Sequence, residues 1–109
     1  MFNTVTLVGR LARDAEVDRL TGEHRTPRLR FTLAVDRDYE VDGESPTDFW
    51  PVEVLGESGS GLAPHLDKGR LVLVHGAAHV DARQDAGGAR RLLPFIEVRA
   101  IRFLDRQPG

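Results

Sequence analysis

Residues 49–80 read FWPVEVLGESGSGLAPHLDKGRLVLVHGAAHV, and this stretch decides which fold the chain can adopt. Its first eight residues alternate, with Trp50, Val52 and Val54 on one side of an extended backbone, which predicts a strand buried on one face. Its last eleven residues, 70–80, are almost continuously apolar and predict a second strand. The segment between the two strands is short and rich in glycine, so it predicts a connecting helix of one or two turns.

Special residues mark the ends of these predicted elements. Ser58 or Ser60 is expected to cap the helix, because a serine hydroxyl can accept a hydrogen bond from a free N–H of the first turn. Gly69 is expected to end it, since glycine readily takes the left-handed backbone that follows a helix. Pro51 has no N–H to donate to a neighbouring strand, which predicts a free edge or a bulge at that point.

Outside this stretch, alternation of apolar and polar residues predicts further strands over residues 3–11, 27–35 and 91–104. In the clearest of them, PRLRFTLAV at 27–35, the large apolar side chains all fall on one side. Turn-forming residues separate the strands. They are Thr21-Gly22, a polar hairpin tip over 36–48 that contains Asp42-Gly43, and a loop over 81–90 that contains Gly87-Gly88.

The predicted order is strand, strand, strand, short helix, strand, strand. Five strands with one helix between the third and the fourth are the arrangement of the OB-fold, an all-β, five-stranded Greek-key barrel that commonly binds oligonucleotides or sugars. A sandwich would need more strands. We therefore expect one OB-fold domain over residues 1–105, followed by a short frayed tail over 106–109.

The composition excludes several classes of protein. The chain has 109 residues, enough for one domain, and no cysteine, which excludes disulfides, thiolate zinc sites and thiol nucleophiles. No apolar run approaches the roughly 18 residues of a membrane span, so we expect a cytoplasmic protein without membrane association. The formal net charge is -2, so any binding of nucleic acid must come from local clusters of arginine, whose rigid fork suits phosphate.

Catalytic and metal-binding patterns are not found in the sequence. His75 and His79 would share one face of a strand but lie about 13 Å apart along it, too far to share a metal ion. The run Ser58–Gly61 lacks the lysine of a phosphate-binding loop. We therefore predict no enzymatic activity, no metal site and no cofactor.

Five segments of the chain resemble, in the same order, those of the bacterial single-stranded DNA-binding proteins of replication and repair. They are NTVTLVGRLARDAEV (3–17), RFTLAVDRDY (30–39), TDFWPVEVLG (47–56), LDKGRLVLVHG (66–76) and EVRAIRFLD (97–105). The resemblance implies an OB-fold, assembly into tetramers or dimers, and sequence-tolerant binding of single-stranded DNA without catalysis, at the nucleoid. Family members also end in an acidic tip that recruits other proteins. No segment after Phe103 matches that tip, so replication or repair partners would dock elsewhere, or the chain is a minimal version.

The resemblance also assigns four base-stacking positions. Tyr39 and Phe49 keep the aromatic ring that the family has there, whereas Leu55 and Arg83 stand where the family has two further aromatic residues. Stacking on an aromatic ring is worth about 1–3 kcal/mol per base and suits every base. We therefore expect Tyr39 and Phe49 to contribute most to binding.

Arginines supply the candidate phosphate contacts. Arg28 and Arg30 would lie on one face of their strand, about 7 Å apart along it, with Thr32 next on that face. That spacing is close to the phosphate spacing of an extended single strand. The alternative interpretation is a solvated face on which Glu16 and Asp18 balance the two guanidinium groups.

Further arginines flank the glycine loop near the end of the chain. Arg83, Arg90 and Arg91 would form a basic finger able to close over a strand, or else belong to a plain hairpin. Arg10, on the first strand, and Arg13, just after it, are additional candidates for phosphate contacts.

One charge pattern opposes DNA binding. Between Asp36 and Glu57 the chain has eight carboxylates and a single basic residue, Arg37. A phosphate backbone within roughly 8–10 Å would be repelled at physiological salt. Two functions follow: single-stranded DNA binding by arginine–phosphate contacts and base stacking in replication, recombination or repair, or an OB-fold protein adaptor that binds a basic partner through this acidic hairpin.

Overall fold

A computed structural model describes residues 1–20 and 26–106 of the chain. The predicted turn at Thr21-Gly22 lies outside these residues, as does most of the predicted tail at 106–109. The described elements are β1 (Val5–Leu11), β2 (Glu16–Arg19), β3 (Pro27–Asp36), β4 (Thr47–Leu55), α1 (Glu57–Leu62), β5 (Leu71–Gln84) and β6 (Arg90–Phe103), with a 3-10 turn at Ala63–His65 after α1.

Five of these strands close into a barrel. The order around the barrel is β1-β5-β6-β4-β3, and β3 returns to β1 through the pairs Arg10–Ala34 and Leu11–Leu33. Gly9 makes this closure possible, because a Cβ at that position would collide with the carbonyl oxygen of Ala34. The closed ring, with its one short helix between β4 and β5, confirms the OB-fold predicted from the element order.

The barrel is filled by the apolar side chains that the alternation predicted. Leu29, Phe31 and Leu33 of β3 are buried. Other buried residues of the same core are Leu11, Val52, Val54, Leu66, Val72, Val74 and Ile96. Trp50 is partly buried and packs against this core, as its alternation with Phe49 indicated. The opposite side chains of β3 and β4 consequently point outward.

The short strand β2 was not predicted. It pairs antiparallel with β3, from Glu16–Arg30 to Arg19–Pro27. The sequence EVDR contains one strand-favouring residue, Val17, and that side chain is itself exposed, so no alternation marks the strand. Its consequence for function is that Asp18 lies directly opposite Arg28.

The capping prediction for the helix was wrong. α1 begins after Gly56, whose φ of 97° only glycine adopts easily, and no side chain caps it. Ser58 and Ser60 lie inside the helix. Gly69 lies in a turn beyond the 3-10 segment, not at the end of α1, because the chain tightens into that segment at Pro64.

The predicted loop over 81–90 is also wrong for half of its length. β5 and β6 remain paired out to Gln84 and Arg90, and the connection shrinks to residues 85–89. Asp85 orders this tip by accepting hydrogen bonds from the N–H groups of Gly87 and Ala89. Residues 80–84 and 90–94 are exposed throughout, so this ribbon shows no buried alternation that a sequence pattern could reveal.

Candidate nucleic-acid interface

The side of β3 and β4 that faces away from the core carries half of the candidate residues. Residues directly opposite each other in an antiparallel pair place their side chains on the same face. The pairs Arg28–Leu55, Arg30–Glu53, Thr32–Pro51 and Ala34–Phe49 therefore define one surface, here called the outer face. It brings together Arg28, Arg30, Thr32, Phe49 and Leu55, as the sequence predicted.

The apolar members of the outer face are open to solvent. Phe49 is 63% exposed and Leu55 is 42% exposed. Both lie on a strand whose alternate residues, Val52 and Val54, are buried, so the backbone that presents them is fixed. The ring of Phe49 is thus available for stacking on a rigid strand, and Leu55 offers a smaller apolar contact.

The two arginines of the outer face are already engaged. Arg28 donates from Nε and Nη2 to the two carboxylate oxygens of Asp18, each at 3.1 Å. Arg30 donates from Nη2 to Asp18 Oδ2 at 2.9 Å. Nη1 of Arg28 also lies 3.7 Å from Glu53 Oε1. The interpretation of a charge-balanced face therefore holds for the ligand-free protein, with Asp18 as the balancing group.

This cluster shifts the ionisation of its members. The hydrogen bond from Arg28, reinforced by the charges of Arg28 and Arg30, lowers the pKa of Asp18 against the opposing effect of desolvation. The same hydrogen bond raises the pKa of Arg28. Asp18 is consequently ionised at neutral pH and competes for the guanidinium groups with any anion that approaches.

A groove of about 250 Å³ crosses the outer face beside this cluster. It lies between the segment that follows β1 and the strands β3 and β4, and Arg13, Arg30, Thr32 and Pro51 are among its lining residues. Arg13, named with Arg10 as an additional candidate from sequence, lines this groove because the chain after β1 folds back onto the outer face.

Tyr39 lies beyond the end of β3, in the loop between β3 and β4, and is 52% exposed. Arg37 Nη1 donates to the hydroxyl of Tyr39 at 2.6 Å, and its Cζ lies 5.9 Å from the centre of the ring. Arg37 is itself fixed by Asp48, whose oxygens accept from Nε and Nη2 at 2.9–3.2 Å. These hydrogen bonds lower the pKa of Asp48 and raise that of Arg37.

The contacts of Arg37 were missed by sequence reasoning, which counted it only as the single base of an acidic segment. They tie the loop residue Tyr39 to Asp48, the direct neighbour of Phe49 on β4. The sequence did contain a signal for these contacts, because Arg37 and Tyr39 are two residues apart and Asp48 lies across the predicted hairpin from them. The remaining carboxylates of the loop, those of Asp38, Glu40, Asp42 and Glu44, are exposed, so the acidic character of the loop persists.

The arginines of the ribbon do not form one basic surface. Arg83 and Arg91 are opposite each other and share a face, whereas Arg90, the neighbour of Arg91, points to the other side. Nε of Arg91 is 3.1 Å from Oδ2 of Asp85. The predicted finger of three arginines is therefore divided between two faces of an ordered hairpin.

Arg10 is held at the end of the barrel. Its Nη1 donates to the carbonyl oxygen of Gly69 at 2.9 Å, in the turn that precedes β5. Arg10 also lies directly opposite Ala34, so it adjoins Phe49 at the β1 border of the outer face. The candidates outside the outer face lie in the β3–β4 loop and the ribbon.

The histidines of the described residues, 1–20 and 26–106, lie outside any cluster of metal ligands. No group of three or more histidine, cysteine or acidic side chains there could hold a metal ion. His75 bonds to Thr6 at 2.7 Å, and His79 contacts Glu97 at 3.3 Å, so each has a local partner. Within the same residues, no helix is both long and apolar enough to cross a bilayer.

Comparison with known proteins agrees with this architecture. Two solved structures share the fold at 24% identity: a Plasmodium falciparum single-stranded DNA-binding protein in complex with single-stranded DNA (TM-score 0.80; 96% of each chain covered), and the small single-stranded DNA-binding protein of Streptomyces coelicolor (TM-score 0.73; 94% of this chain and 95% of that one).

Closer relatives are found among curated sequences. The single-stranded DNA-binding protein of Thermotoga maritima is 37% identical over 99% of this chain and 77% of its own length. That of Caldanaerobacter subterraneus is 38% identical over 100% of this chain and 72% of its own length. The model of the single-strand binding protein family matches residues 2–104. The chain therefore belongs to the single-strand binding protein family.

Proposed function

We propose that this protein binds single-stranded DNA with little sequence preference, in replication, recombination or repair. The observation that carries the proposal is an exposed phenylalanine, Phe49, on the same rigid face as Arg28 and Arg30. A ring beside guanidinium groups offers a base its stacking partner and a phosphate its hydrogen-bond donors. The names of the curated relatives support the same ligand.

The proposed contacts divide by chemistry. Phe49 and Tyr39 stack bases, each worth about 1–3 kcal/mol. Arg28 and Arg30 contact the phosphate backbone. Thr32 and Leu55 lie on the same face and contribute further polar and apolar contacts to the DNA. Since stacking and phosphate contacts do not distinguish the four bases, binding tolerates any sequence.

The ribbon and β1 supply a second set of contacts in this proposal. Arg83 and Arg91 share one face of the ribbon and would meet a strand leaving the outer face, with Arg90 on the reverse side. Arg10 lies on β1 and is paired with Ala34 of β3 where the barrel closes. Arginines on β1, β5 and β6 would let a flexible DNA strand wrap around the barrel. In this proposal the protein acts at the nucleoid.

We further propose a homo-oligomer, a tetramer or a dimer. One edge of β1 pairs with β3 only at Arg10 and Leu11, so within the described residues the backbone of its first half is open on that side. An open strand edge is a template for pairing with another chain. Val8, on this half, is also exposed. Light scattering should report two or four copies, and a monomer at high micromolar concentration would contradict the proposal.

Fluorescence anisotropy of a labelled oligo-dT tests the DNA-binding proposal. Titration at low salt should give saturable binding at micromolar protein or below, and binding should weaken as salt rises. The same titration with mixed-sequence DNA should give a similar affinity. A flat curve at micromolar protein in low salt would refute the proposal.

A second candidate function rests on the acidic loop. Asp38, Glu40 and Asp42 are exposed around a tight Asp42-Gly43 turn, a surface suited to a basic protein partner. Reversing these three charges distinguishes the candidates. For a DNA-binding protein the triple variant should bind oligo-dT more tightly, whereas for an adaptor it should lose binding of a basic peptide.

A further inference from the structure

The structure places a single carboxylate between the two arginines of the outer face. Asp18 accepts two hydrogen bonds from Arg28 and one from Arg30, at 2.9–3.1 Å. Its position is fixed by backbone pairing, since Asp18 on β2 lies directly opposite Arg28 on β3. The contact is thus part of the sheet and not an encounter between two long surface side chains.

The contact uses the donors that a phosphate would need. A guanidinium group recognises carboxylate and phosphate through the same parallel pair of N–H groups. Nε and Nη2 of Arg28 are both committed to Asp18, and its remaining Nη1 lies nearest Glu53. A phosphate that approaches Arg28 therefore meets a group whose fork is already filled.

Partial burial makes this competition matter. The side chain of Arg28 is 23% exposed and that of Asp18 is 37% exposed. Ion pairs at this depth are screened less than fully exposed ones, which often contribute little. Asp18 is also held in its ionised form by the two arginines it contacts.

We propose that Asp18 is an internal competitor of DNA phosphate that sets the affinity and the salt dependence of the outer face. The inference rests on the proposed function. DNA must displace Asp18 from Arg28 and Arg30, so one anion replaces another, and the released carboxylate takes up a cation. The protein therefore binds more weakly, and with a shallower salt dependence, than its arginines alone would give.

The test compares Asp18→Asn with Glu16→Gln in oligo-dT titrations from low to high salt. Glu16 is the matched control, because it lies on the same strand, opposite Arg30, yet its carboxylate forms no ion pair with a described residue. Asp18→Asn should tighten binding roughly threefold to tenfold at low salt. Its salt slope should steepen by about 0.7 for each arginine newly free to neutralise a phosphate. Glu16→Gln should give a smaller gain of about twofold or less.

A double-mutant cycle separates competition from general repulsion. In a background of Arg28→Ala and Arg30→Ala, the gain from Asp18→Asn should disappear, because no fork remains to be released. A gain of the same size in both backgrounds, or equal gains for Asp18→Asn and Glu16→Gln, would overturn the inference. Weaker binding by Asp18→Asn would also overturn it, since Asp18 would then be holding the arginines in place for DNA.

Two controls keep the outcome readable. Thermal melts confirm that each variant folds. If Asp18→Asn does not fold, Asp18→Thr replaces it, because threonine favours strands and also removes the charge. If the wild type and every variant give flat titrations, the proposed function fails. If the wild type binds and the Asp18 variants behave as Glu16→Gln does, only the inference fails.

Discussion

Phe49 is a large apolar residue that the barrel core leaves exposed on the outer face. It is 63% exposed on a strand whose inward residues already fill the core, so removing its ring should leave the barrel intact. We predict that Phe49→Ala weakens oligo-dT binding by about 1–3 kcal/mol, the value of one stacked base. Anisotropy titrations measure the loss, and an unchanged melting temperature excludes unfolding as its cause.

Leu104→Ala is the matched control for Phe49→Ala. Leu104 is an exposed apolar side chain just after β6, outside the outer face. It should leave the affinity unchanged. Equal losses for the two variants would mean that any exposed apolar side chain affects binding and that Phe49 is no stacking platform.

The side to which Phe49 points could be predicted from sequence, and Asp18 was named as a possible balancing charge for Arg28, but the paired hydrogen bonds between the two could not be predicted. Alternation with Trp50, Val52 and Val54 is a local property, and a buried face enforces it. The Asp18 contact depends on β2, a four-residue strand whose formation comes from pairing with β3 and leaves no local pattern.

Arg37 holds Tyr39 in position, and a double mutant can separate this effect from any direct contact of Arg37 with DNA. Arg37 holds the hydroxyl of Tyr39 at 2.6 Å and is anchored by Asp48. We predict that Arg37→Ala weakens oligo-dT binding by no more than the stacking value of about 1–3 kcal/mol, because the ring loses its fixed position. In a Tyr39→Ala background the same substitution should have no further effect, and the two affinities are compared by anisotropy.

Arg102→Ala provides the reference for Arg37→Ala. Arg102 is an exposed arginine on β6 whose Nη1 donates to a backbone carbonyl, and losing it removes the same charge. A full additional loss for Arg37→Ala in the Tyr39→Ala background would show that Arg37 contacts DNA itself.

At the scale of elements, the end of β6 is fastened by a buried arginine. Arg70 is 6% exposed, lies 4.4 Å above the ring of Phe103 and pairs with Asp105 at 2.8 Å. Asp105 also accepts the backbone N–H of Leu71, and this bond, followed by the pairing with Arg70, lowers the pKa of Asp105. The carboxylate therefore joins the start of β5 to the chain that leaves β6.

We predict a pH-dependent loss of stability for Asp105→Asn. A carboxyl whose pKa is lowered by folding stabilises the protein above its unfolded pKa of about 3.9, and the contribution is lost as pH falls through the lower folded pKa. The melting temperature of the variant should be a few degrees below that of the wild type at pH 7. The gap should close progressively below about pH 4.

Asp67→Asn is the control for this prediction, since Asp67 is an exposed carboxyl in the turn before Arg70 and has no ion pair with a described residue. Its melting curve should follow that of the wild type at every pH. A difference in melting temperature between Asp105→Asn and the wild type that stays unchanged at acidic pH would mean that the carboxylate charge does not stabilise the end of β6.

Element order was the part of the fold that the sequence carried most clearly. Strands that line the core must alternate or be apolar throughout, so β1, β3, β4, β5 and β6 were predicted from sequence. The end of β5 over residues 81–84 was mistaken for a loop because both faces of the ribbon meet solvent, and strand pairing there needs no apolar pattern. The Asp42-Gly43 turn was predictable, since both residues adopt the positive φ that such a hairpin requires.

On the scale of the whole molecule, the protein binds a polyanion in this proposal although its formal net charge is -2. Four of its 17 acidic residues, Asp38, Glu40, Asp42 and Glu44, are exposed in the β3–β4 loop that contains Tyr39. DNA that reaches Tyr39 approaches this acidic loop, whose charges act over a Debye length of about 8 Å at physiological salt. The loop then weakens binding by long-range repulsion, in addition to the direct competition from Asp18.

Neutralising the four loop carboxylates with Asn and Gln should therefore tighten oligo-dT binding at 50 mM salt, roughly threefold to tenfold. The gain should vanish near 1 M salt, where the Debye length is about 3 Å and only contacting charges still act. Asn at position 42 keeps the positive φ that Asp42 adopts, so the turn should be preserved. Asp67→Asn gives the effect of removing one charge elsewhere, and the loop variant should exceed it per charge removed. Unchanged or weaker binding at low salt would mean that the strand avoids the loop or is held by it, and Tyr39 would then lose its assignment as a stacking residue.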